Sequence, residues 1–421
     1  MICILVYEMF RNQRSSLLMD CIVNKKENVE QSCGTYVQNN GKILFIATVY
    51  NHLAAFHIPF MKMLQEKGYE VHAAASSVTG RRDDVENAGV ICWEIPFKRS
   101  PYNPANFKAF LELRSLLKNH HFDLIHVHTP VAAFLGRFLA KSTHQGPVLY
   151  TAHGFHFYKE APRRNWLIYY TAERIASRWT DGLIVMNSED FENAQKLSFK
   201  AGENLFYVHG VGVDLSEYAD PLVCENNIRA SLGIGQEDII VTCVAELIER
   251  KNHDFLLDAW GELTRRHNYI HLLFVGTGEK MATLQKKVLQ EHIQRVYFLG
   301  YRRDVPQILR ETDIVTLVSK HEGLPRCIME AMAAGKPVVA SNVRGNRDLV
   351  EHGRTGFLVE LEDISGLIQA FEKLILDRQL RISMGIAGQK KICDYSLENV
   401  LVEMSDIYDL YLSKKALGVA S

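Results

Sequence analysis

Glu322 and Glu330 stand eight positions apart in HEGLPRCIMEAMAAGKPVVAS, residues 321–341, and a pair of fixed carboxylates can grip the hydroxyls of a polyol. Pro325 suits the first turn of a helix, where its missing N–H costs nothing. Gly335 suits a left-handed stop, and Pro337 bars continuation. A β-branched strand, Val338 to Ser341, follows at once. The spacing therefore predicts loop, helix and strand, with Glu322 in the loop and Glu330 about two turns along the helix. The positive N-terminus of that helix, with Gly323 allowing close backbone approach, is a ready site for a phosphate or diphosphate. Carboxylates beside it can hold vicinal hydroxyls, so the local chemistry suits a sugar nucleotide.

The elements that must position these groups alternate strand and helix. KILFIATVY (42–50) is a buried-strand pattern, PFMKMLQEKGYEV (59–71) gives a helix that stops at Gly68, and EVHAAA is the next strand. Further strands are expected at Val90 to Ile95, Leu124 to His128, Val148 to Thr151, Gly182 to Met186 and Leu205 to Val208, with helices at Pro104 to Asn119 and Asn165 to Arg178. After a polar stretch, YADPLVCENN, the pattern restarts with strands at Ile239 to Val244, His271 to Val275, Val296 to Leu299, Ile314 to Leu317 and Val338 to Ser341. Helices at His253 to Arg266 and Lys280 to Gln290 separate them. A last helix, with Ser396 as N-cap, sets Leu397, Val400, Leu401, Met404, Ile407, Tyr408 and Tyr411 on one stripe. The class is α/β, with two Rossmann-like halves, and ligands of such open sheets sit at the carboxyl ends of strands. The active site is expected in a cleft between the halves.

A chain of 421 residues with 47% hydrophobic content supports two cores. Lys plus Arg 48 against Asp plus Glu 49 argues against nucleic acid as the main partner. The eight cysteines are scattered without a C-x-x-C pair, so neither a zinc site nor a disulfide framework is indicated and a reducing cytoplasm fits best. No segment approaches the roughly 20 apolar residues of a membrane span. Residues 1–40 read as a poorly ordered tail or the product of an upstream start codon. The expected domains are an N-terminal acceptor domain (41–216), a C-terminal donor domain (217–395), and a helix with tail (396–421) that returns to the N-terminal domain.

The run E-x7-E followed by EAMAAGKPVVAS resembles the donor-site motif of retaining glycosyltransferases of family 4, which have the GT-B fold. KILFIATVYNHLAAFHIP, RSPYNP, DLIHVHTP, YTAHGFHFYKEAPRRNW, TDGLIVMNSED and GVGVD are similar to the branch of that family that builds bacterial capsule and exopolysaccharide repeat units. The resemblance covers about residues 41–415 and implies transfer of a sugar from a nucleotide sugar, expected to be a UDP-sugar, to a lipid-diphosphate-linked or saccharide acceptor. In the resembled fold, the last helix crosses back onto the N-terminal domain.

Residue by residue, the resemblance gives Glu322 the hydroxyls of the donor sugar and Glu330 the ribose. It gives Gly323 and Leu324 backbone N–H groups toward the sugar and diphosphate. Lys251, in VAELIERKNHDF, falls on the lysine of a two-cation diphosphate clamp, whereas Glu246 stands at the usual arginine position and Arg250 is the candidate substitute. His153, in HGFH, matches the histidine beside the anomeric centre, and backbone groups at Tyr301 could read a pyrimidine. His156 and Phe157 are candidates for shaping the acceptor pocket. The loop VYNHLAAFHIP lies where the family has a glycine-rich loop, yet it lacks glycine; His52 or His57 could reach the site or cap the next helix. FVGTGE offers G-x-G for phosphate contact, and NVRGNRD could border the nucleotide or be a plain turn.

The implied mechanism retains configuration without a carboxylate nucleophile. No Asp-x-Asp pair stands at a strand end in a suitable context, so no metal cofactor is expected. Lys159, Arg163, Arg164, Trp166, Tyr169, Tyr170, Arg174 and Arg178 form a basic, aromatic stretch. It suits either an anionic membrane surface, with the enzyme peripheral at the inner face of the cell membrane, or an ordinary packed surface helix. Two other readings of the fold stay open: a sugar-nucleotide 2-epimerase, and an inactive donor-binding partner subunit that could tolerate Glu246.

Overall fold

A computed structural model describes residues 40–219 and 228–416. The expected tail, 1–40, lies outside the described residues except for Asn40, and so does most of the polar stretch 218–227. The described chain falls into two compact units, one of 40–211 with 398–416 and the other of 212–219 with 228–397.

The first unit is built on seven parallel strands, β1 (Lys42–Val49), β2 (Glu70–Ser76), β3 (Ile91–Glu94), β4 (Leu124–His128), β5 (Val148–Ala152), β6 (Gly182–Val185) and β7 (Leu205–Tyr207), in the order β3-β2-β1-β4-β5-β6-β7. Ile43 through Ala47 are fully buried, as expected of a central strand covered by helices on both faces. The order reverses between β1 and β4, and that reversal opens a crevice at the strands' carboxyl ends.

Between β1 and β2 the segment read as a loop is helical: α1 (Tyr50–Phe56) precedes α2 (Ile58–Glu66). Tyr50, Leu53 and Ala54 point into the core, so burial stabilises a turn that has no capping side chain at Val49. The helix expected over 165–178 contains a π-helical stretch at Trp166–Tyr170, followed by α-helix over Thr171–Ala176.

The second unit carries six parallel strands, β8 (Ile239–Val244), β9 (Ile270–Val275), β10 (Val296–Phe298), β11 (Ile314–Leu317), β12 (Val338–Ser341) and β13 (Gly356–Val359), in the order β10-β9-β8-β11-β12-β13. Its reversal lies between β8 and β11. The last strand, β13, is absent from the sequence reading. The short helix after β11 is α3 (Arg326–Ala333), with Pro325 at its N-cap, not in its first turn. Glu330 is therefore the fifth helical residue, little more than one turn in, not two.

The C-terminal helix, α4 (Leu397–Ala416), buries Val400, Met404, Ile407, Tyr408 and Tyr411 in one cluster with Ile43, Phe45, Leu124, Leu149 and Ile184 of the first unit's sheet. Each such side chain contributes about 1.5–3 kcal/mol. Polar contacts fix the register: Tyr411 Oη donates to the Asp181 carbonyl (2.8 Å), Tyr408 Oη meets His126 Nδ1 (2.8 Å), and Lys67 pairs with Asp409 (2.6 Å). Cys92, Cys243 and Cys327 are free thiols.

Candidate active site

In the second unit, the chain leaving β8 makes a turn at Glu249–Lys251, and the chain leaving β11 runs through Glu322 to α3. These strands are neighbours at the reversal, so the two loops meet. Lys251 Nζ lies 2.5 Å from Glu322 Oε1, and Arg250 Nη1 lies 3.1 Å from Glu322 Oε2 while donating to the His321 carbonyl (3.0 Å). Lys320 N donates to the Arg250 carbonyl (2.8 Å), which ties the loops together through the backbone.

Glu322 is only 6% exposed. Burial by itself would raise its pKa, but Lys251 and Arg250 outweigh that and hold it below the usual carboxylate range. Two cations around one carboxylate leave a surplus positive charge, which suits an anionic ligand.

The loop is braced from beneath by residues of NVRGNRD. The buried Arg344 donates through Nε to the Glu322 carbonyl (3.0 Å). Next to it, Gly345 has φ +78° and lies so close that a Cβ would stand 2.3 Å from the Gly323 carbonyl oxygen. NVRGNRD is therefore more than a plain turn. Its arginine and glycine set the height of the Glu322–Gly323 loop, a long-range contact with no local signal.

Glu330, partly buried with its side chain 14% exposed, pairs with Arg326 (3.0 Å). Burial raises its pKa, and Arg326 offsets this only in part. A partly buried carboxylate with so little compensation gains from hydroxyl donors of a ligand. Gly323 and Leu324 lead into the N-terminus of α3. Tyr301 is 62% exposed and follows β10, two strands from β8.

Glu246 is exposed, and its side chain pairs with no group among the described residues. Four positions later, Arg250 sets a guanidinium against Glu322. The G-x-G of FVGTGE has a packing reason: a Cβ on Gly276, whose φ is +148°, would stand 2.0 Å from the Ala245 carbonyl oxygen.

The first unit gathers histidines at its own reversal. His52 sits in α1, His57 joins α1 to α2, His128 ends β4, and His153 follows β5. His57 makes no side-chain cap to α2. His52 Nε2 lies 3.2 Å from His153 Nε2 and 3.3 Å from His57 Nε2, and His153 Nε2 lies 3.4 Å from His128 Nδ1. Burial pushes His153 down to about 4 and the other three well below the ordinary histidine value, so all four are neutral. His126 packs its ring 4.1 Å from that of His128, but its own nitrogens are taken by Tyr408 (2.8 Å) and Thr151 (2.7 Å). Thr129, directly after His128, has φ +63°, a costly conformation for a β-branched residue. Hydrogen bonds from Thr48 N (2.9 Å) and with Thr48 Oγ1 (2.8 Å) hold it there.

Phe157, a candidate for the acceptor pocket, is instead core. It is fully buried, stacks on Phe155 at 4.6 Å and packs against Trp166 and Tyr170. His156 is exposed, with its ring 4.6 Å from that of Tyr169.

Comparison with known proteins accords with this geometry. A family model described as Glycosyltransferase Family 4 matches residues 60–216, and one described as Glycosyl transferases group 1 matches residues 225–391. The putative glycosyltransferase EpsD of Bacillus subtilis is 34% identical over 88% of this chain and 97% of its own length. An Escherichia coli UDP-Gal:alpha-D-GlcNAc-diphosphoundecaprenol alpha-1,3-galactosyltransferase is 30% identical over 73% of this chain and 79% of its own. Among solved structures, Anabaena Alr3699/HepE in complex with UDP and glucose superposes with a TM-score of 0.73 at 21% identity, covering 88% of this chain and all of that one. WaaG, a glycosyltransferase involved in lipopolysaccharide biosynthesis, gives a TM-score of 0.69 at 16% identity, covering 87% of this chain and 99% of that one. With two family models matched in tandem and 34% identity to a relative over nearly the whole of both chains, the chain belongs to glycosyltransferase family 4 and is a glycosyltransferase of the GT-B fold.

Proposed function

We propose that the enzyme moves a hexosyl or N-acetylhexosaminyl group from a UDP-sugar to a lipid-diphosphate-linked saccharide, with retention, in the assembly of a bacterial surface polysaccharide. The observation that carries this is the buried Glu322 between Lys251 and Arg250 at the reversal of the second sheet. The surplus cation charge takes the diphosphate, Glu322 takes sugar hydroxyls, and Glu330 takes the ribose. Gly323 and Leu324 offer backbone donors, Tyr301 borders the base, and His153 is assigned to the neighbourhood of the anomeric carbon. The acceptor hydroxyl attacks on the face that the diphosphate leaves. A C–O bond forms as the sugar–phosphate bond breaks, and the acceptor's proton passes to the leaving oxygen. Lys251 and the α3 N-terminus stabilise the departing charge. Support for the substrate classes comes from the Escherichia coli relative, whose name specifies UDP-Gal and a diphosphoundecaprenol acceptor, and from HepE, crystallised with UDP and glucose.

Incubation with a panel of UDP- and GDP-sugars and a lipid extract is expected to release nucleoside diphosphate from one UDP-sugar, and only when extract is present. Release without acceptor, or isomerised donor as product, would instead establish a hydrolase or epimerase.

We further propose that the enzyme docks on the inner face of the cell membrane through the helical run 163–179. No helix among the described residues is long and apolar enough to cross a membrane. Leu167 (74% exposed), Ile168 (44%) and Ile175 (43%) stand in water among the exposed Arg163, Arg164, Arg174 and Arg178. Apolar side chains flanked by cations suit an anionic lipid surface, where each basic residue adds about 1 kcal/mol. Replacing Arg163 and Arg164 by Glu should weaken binding to phosphatidylglycerol vesicles at least about tenfold on that scale. Equal sedimentation of variant and parent with vesicles would remove this assignment.

A further inference from the structure

We propose that His52, His57, His128 and His153 bind a divalent transition-metal ion, with zinc the best match to the ligand set. All four ligand nitrogens lie within 4.8 Å of one another. The three short contacts, 3.2, 3.3 and 3.4 Å, match the nitrogen–nitrogen edge of a tetrahedral zinc site, about 3.3–3.4 Å for bonds of about 2.0–2.1 Å. Rotation of the two half-exposed rings, His52 and His153, closes the rest of the set.

Hydrogen bonding does not account for this arrangement. A neutral imidazole nitrogen offers either one proton or one lone pair. His52 Nε2 faces both His153 Nε2 and His57 Nε2, and His153 Nε2 also faces His128 Nδ1. The contacts form a chain in which each inner nitrogen is asked to serve two neighbours, so all three cannot be hydrogen bonds at once. A cation at the centre satisfies every lone pair together.

His57 Nδ1 and His128 Nε2 are buried with no hydrogen-bond partner, so the orientation of these rings is set by packing and not by the outer hydrogen bond that usually orients a ligating histidine. Imidazole suits zinc, copper, iron and nickel, and burial keeps all four rings neutral, the form that ligates.

The placement has a structural rationale. The ligands come from the chain after β1, the last residue of β4 and the residue after β5, three adjacent strands spanning the reversal of the first sheet. With four protein ligands the coordination sphere is closed, which is the arrangement of structural zinc sites. The ion would clip α1 to the ends of β4 and β5 and set a fixed positive charge at that crevice. His153 would then act through the ion, as a positioning residue, and could not serve as a base.

The test uses the full chain, purified with a tag free of histidine, stripped with chelator and reloaded with zinc sulfate. Elemental analysis after gel filtration is expected to find about one zinc per chain, and loading should raise the unfolding temperature. Cobalt in place of zinc should give the intense visible bands of a tetrahedral site. His128→Asn and His52→Asn should each lose the zinc and the cobalt bands, whereas the exposed His144→Asn should keep both. If His128→Asn fails to fold, the half-exposed His52→Asn and the parent decide the question. Parent protein with negligible zinc, no cobalt bands and no shift in unfolding temperature would overturn the site. So would stoichiometric zinc retained in both ligand variants. These readouts are independent of sugar transfer, so the outcome stands whatever donor or acceptor the enzyme uses.

Discussion

Glu322→Ala is expected to lower kcat/KM by at least about 100-fold, a loss of about 2.7 kcal/mol of transition-state stabilisation. The carboxylate has two tasks in the geometry. It accepts from donor-sugar hydroxyls, and it holds Lys251 and Arg250 in place from 2.5 and 3.1 Å. Without it the two cations repel each other in a partly dry loop, and their common aim on a diphosphate is lost. Glu322→Gln keeps the shape and removes the charge, so its defect should lie between parent and alanine variant. The fold should survive, because Arg250 is about one-third exposed and can be solvated where it stands. The pH dependence has a definite sign. The folded-state pKa of Glu322 is depressed, so its stabilising contribution is complete above the ordinary carboxyl pKa and is lost only as pH falls through the lower, folded value. Steady-state kinetics together with a thermal melt check this. Turnover near that of the parent, with an unchanged melt, would withdraw Glu322 from the site.

How far the site could be read from the chain depended on whether its parts were local. E-x7-E lies in one segment between β11 and β12, so its loop, helix and strand were legible, apart from an offset at Pro325 that moved Glu330 a turn closer to the helix start. Both sheets were legible because buried parallel strands read as short apolar runs. β13, four residues with a glycine at its start, gave too weak a run. α1 was missed because its evidence is tertiary: seven residues, no cap, and a hydrophobic face visible only once Tyr50 and Leu53 are seen in the core. The brace from Arg344 and Gly345 spans 22 residues in sequence and has no periodic signal. The histidine cluster is the extreme case. His52 and His153 are 101 positions apart, and no local spacing in the chain sets His52, His57, His128 and His153 side by side. Phe157 illustrates the reverse error. An aromatic beside a functional histidine invited a pocket role, but the π-helical segment at Trp166–Tyr170 folds over it and makes it core.

Lys251→Ala should lower kcat by about 100- to 1,000-fold, the usual cost of removing one preorganised group that meets charge as it develops. KM should move less, because the diphosphate is already charged in the bound donor and Arg250 remains to hold it. The leaving oxygen gains its charge only as the sugar–phosphate bond breaks. Lys251→Arg is not a conservative rescue, since a planar guanidinium replaces a compact ammonium that is only 12% exposed. The decisive variant is the double one. Lys251 and Glu322 are in contact at 2.5 Å, so if they act as one unit, Lys251→Ala with Glu322→Ala should be little worse than the more damaging single change. Strict multiplication of the two defects would mean that lysine and glutamate act on separate parts of the donor. The ion pair would then be a resting contact that opens on binding, with Lys251 turning to the diphosphate and Glu322 to the sugar.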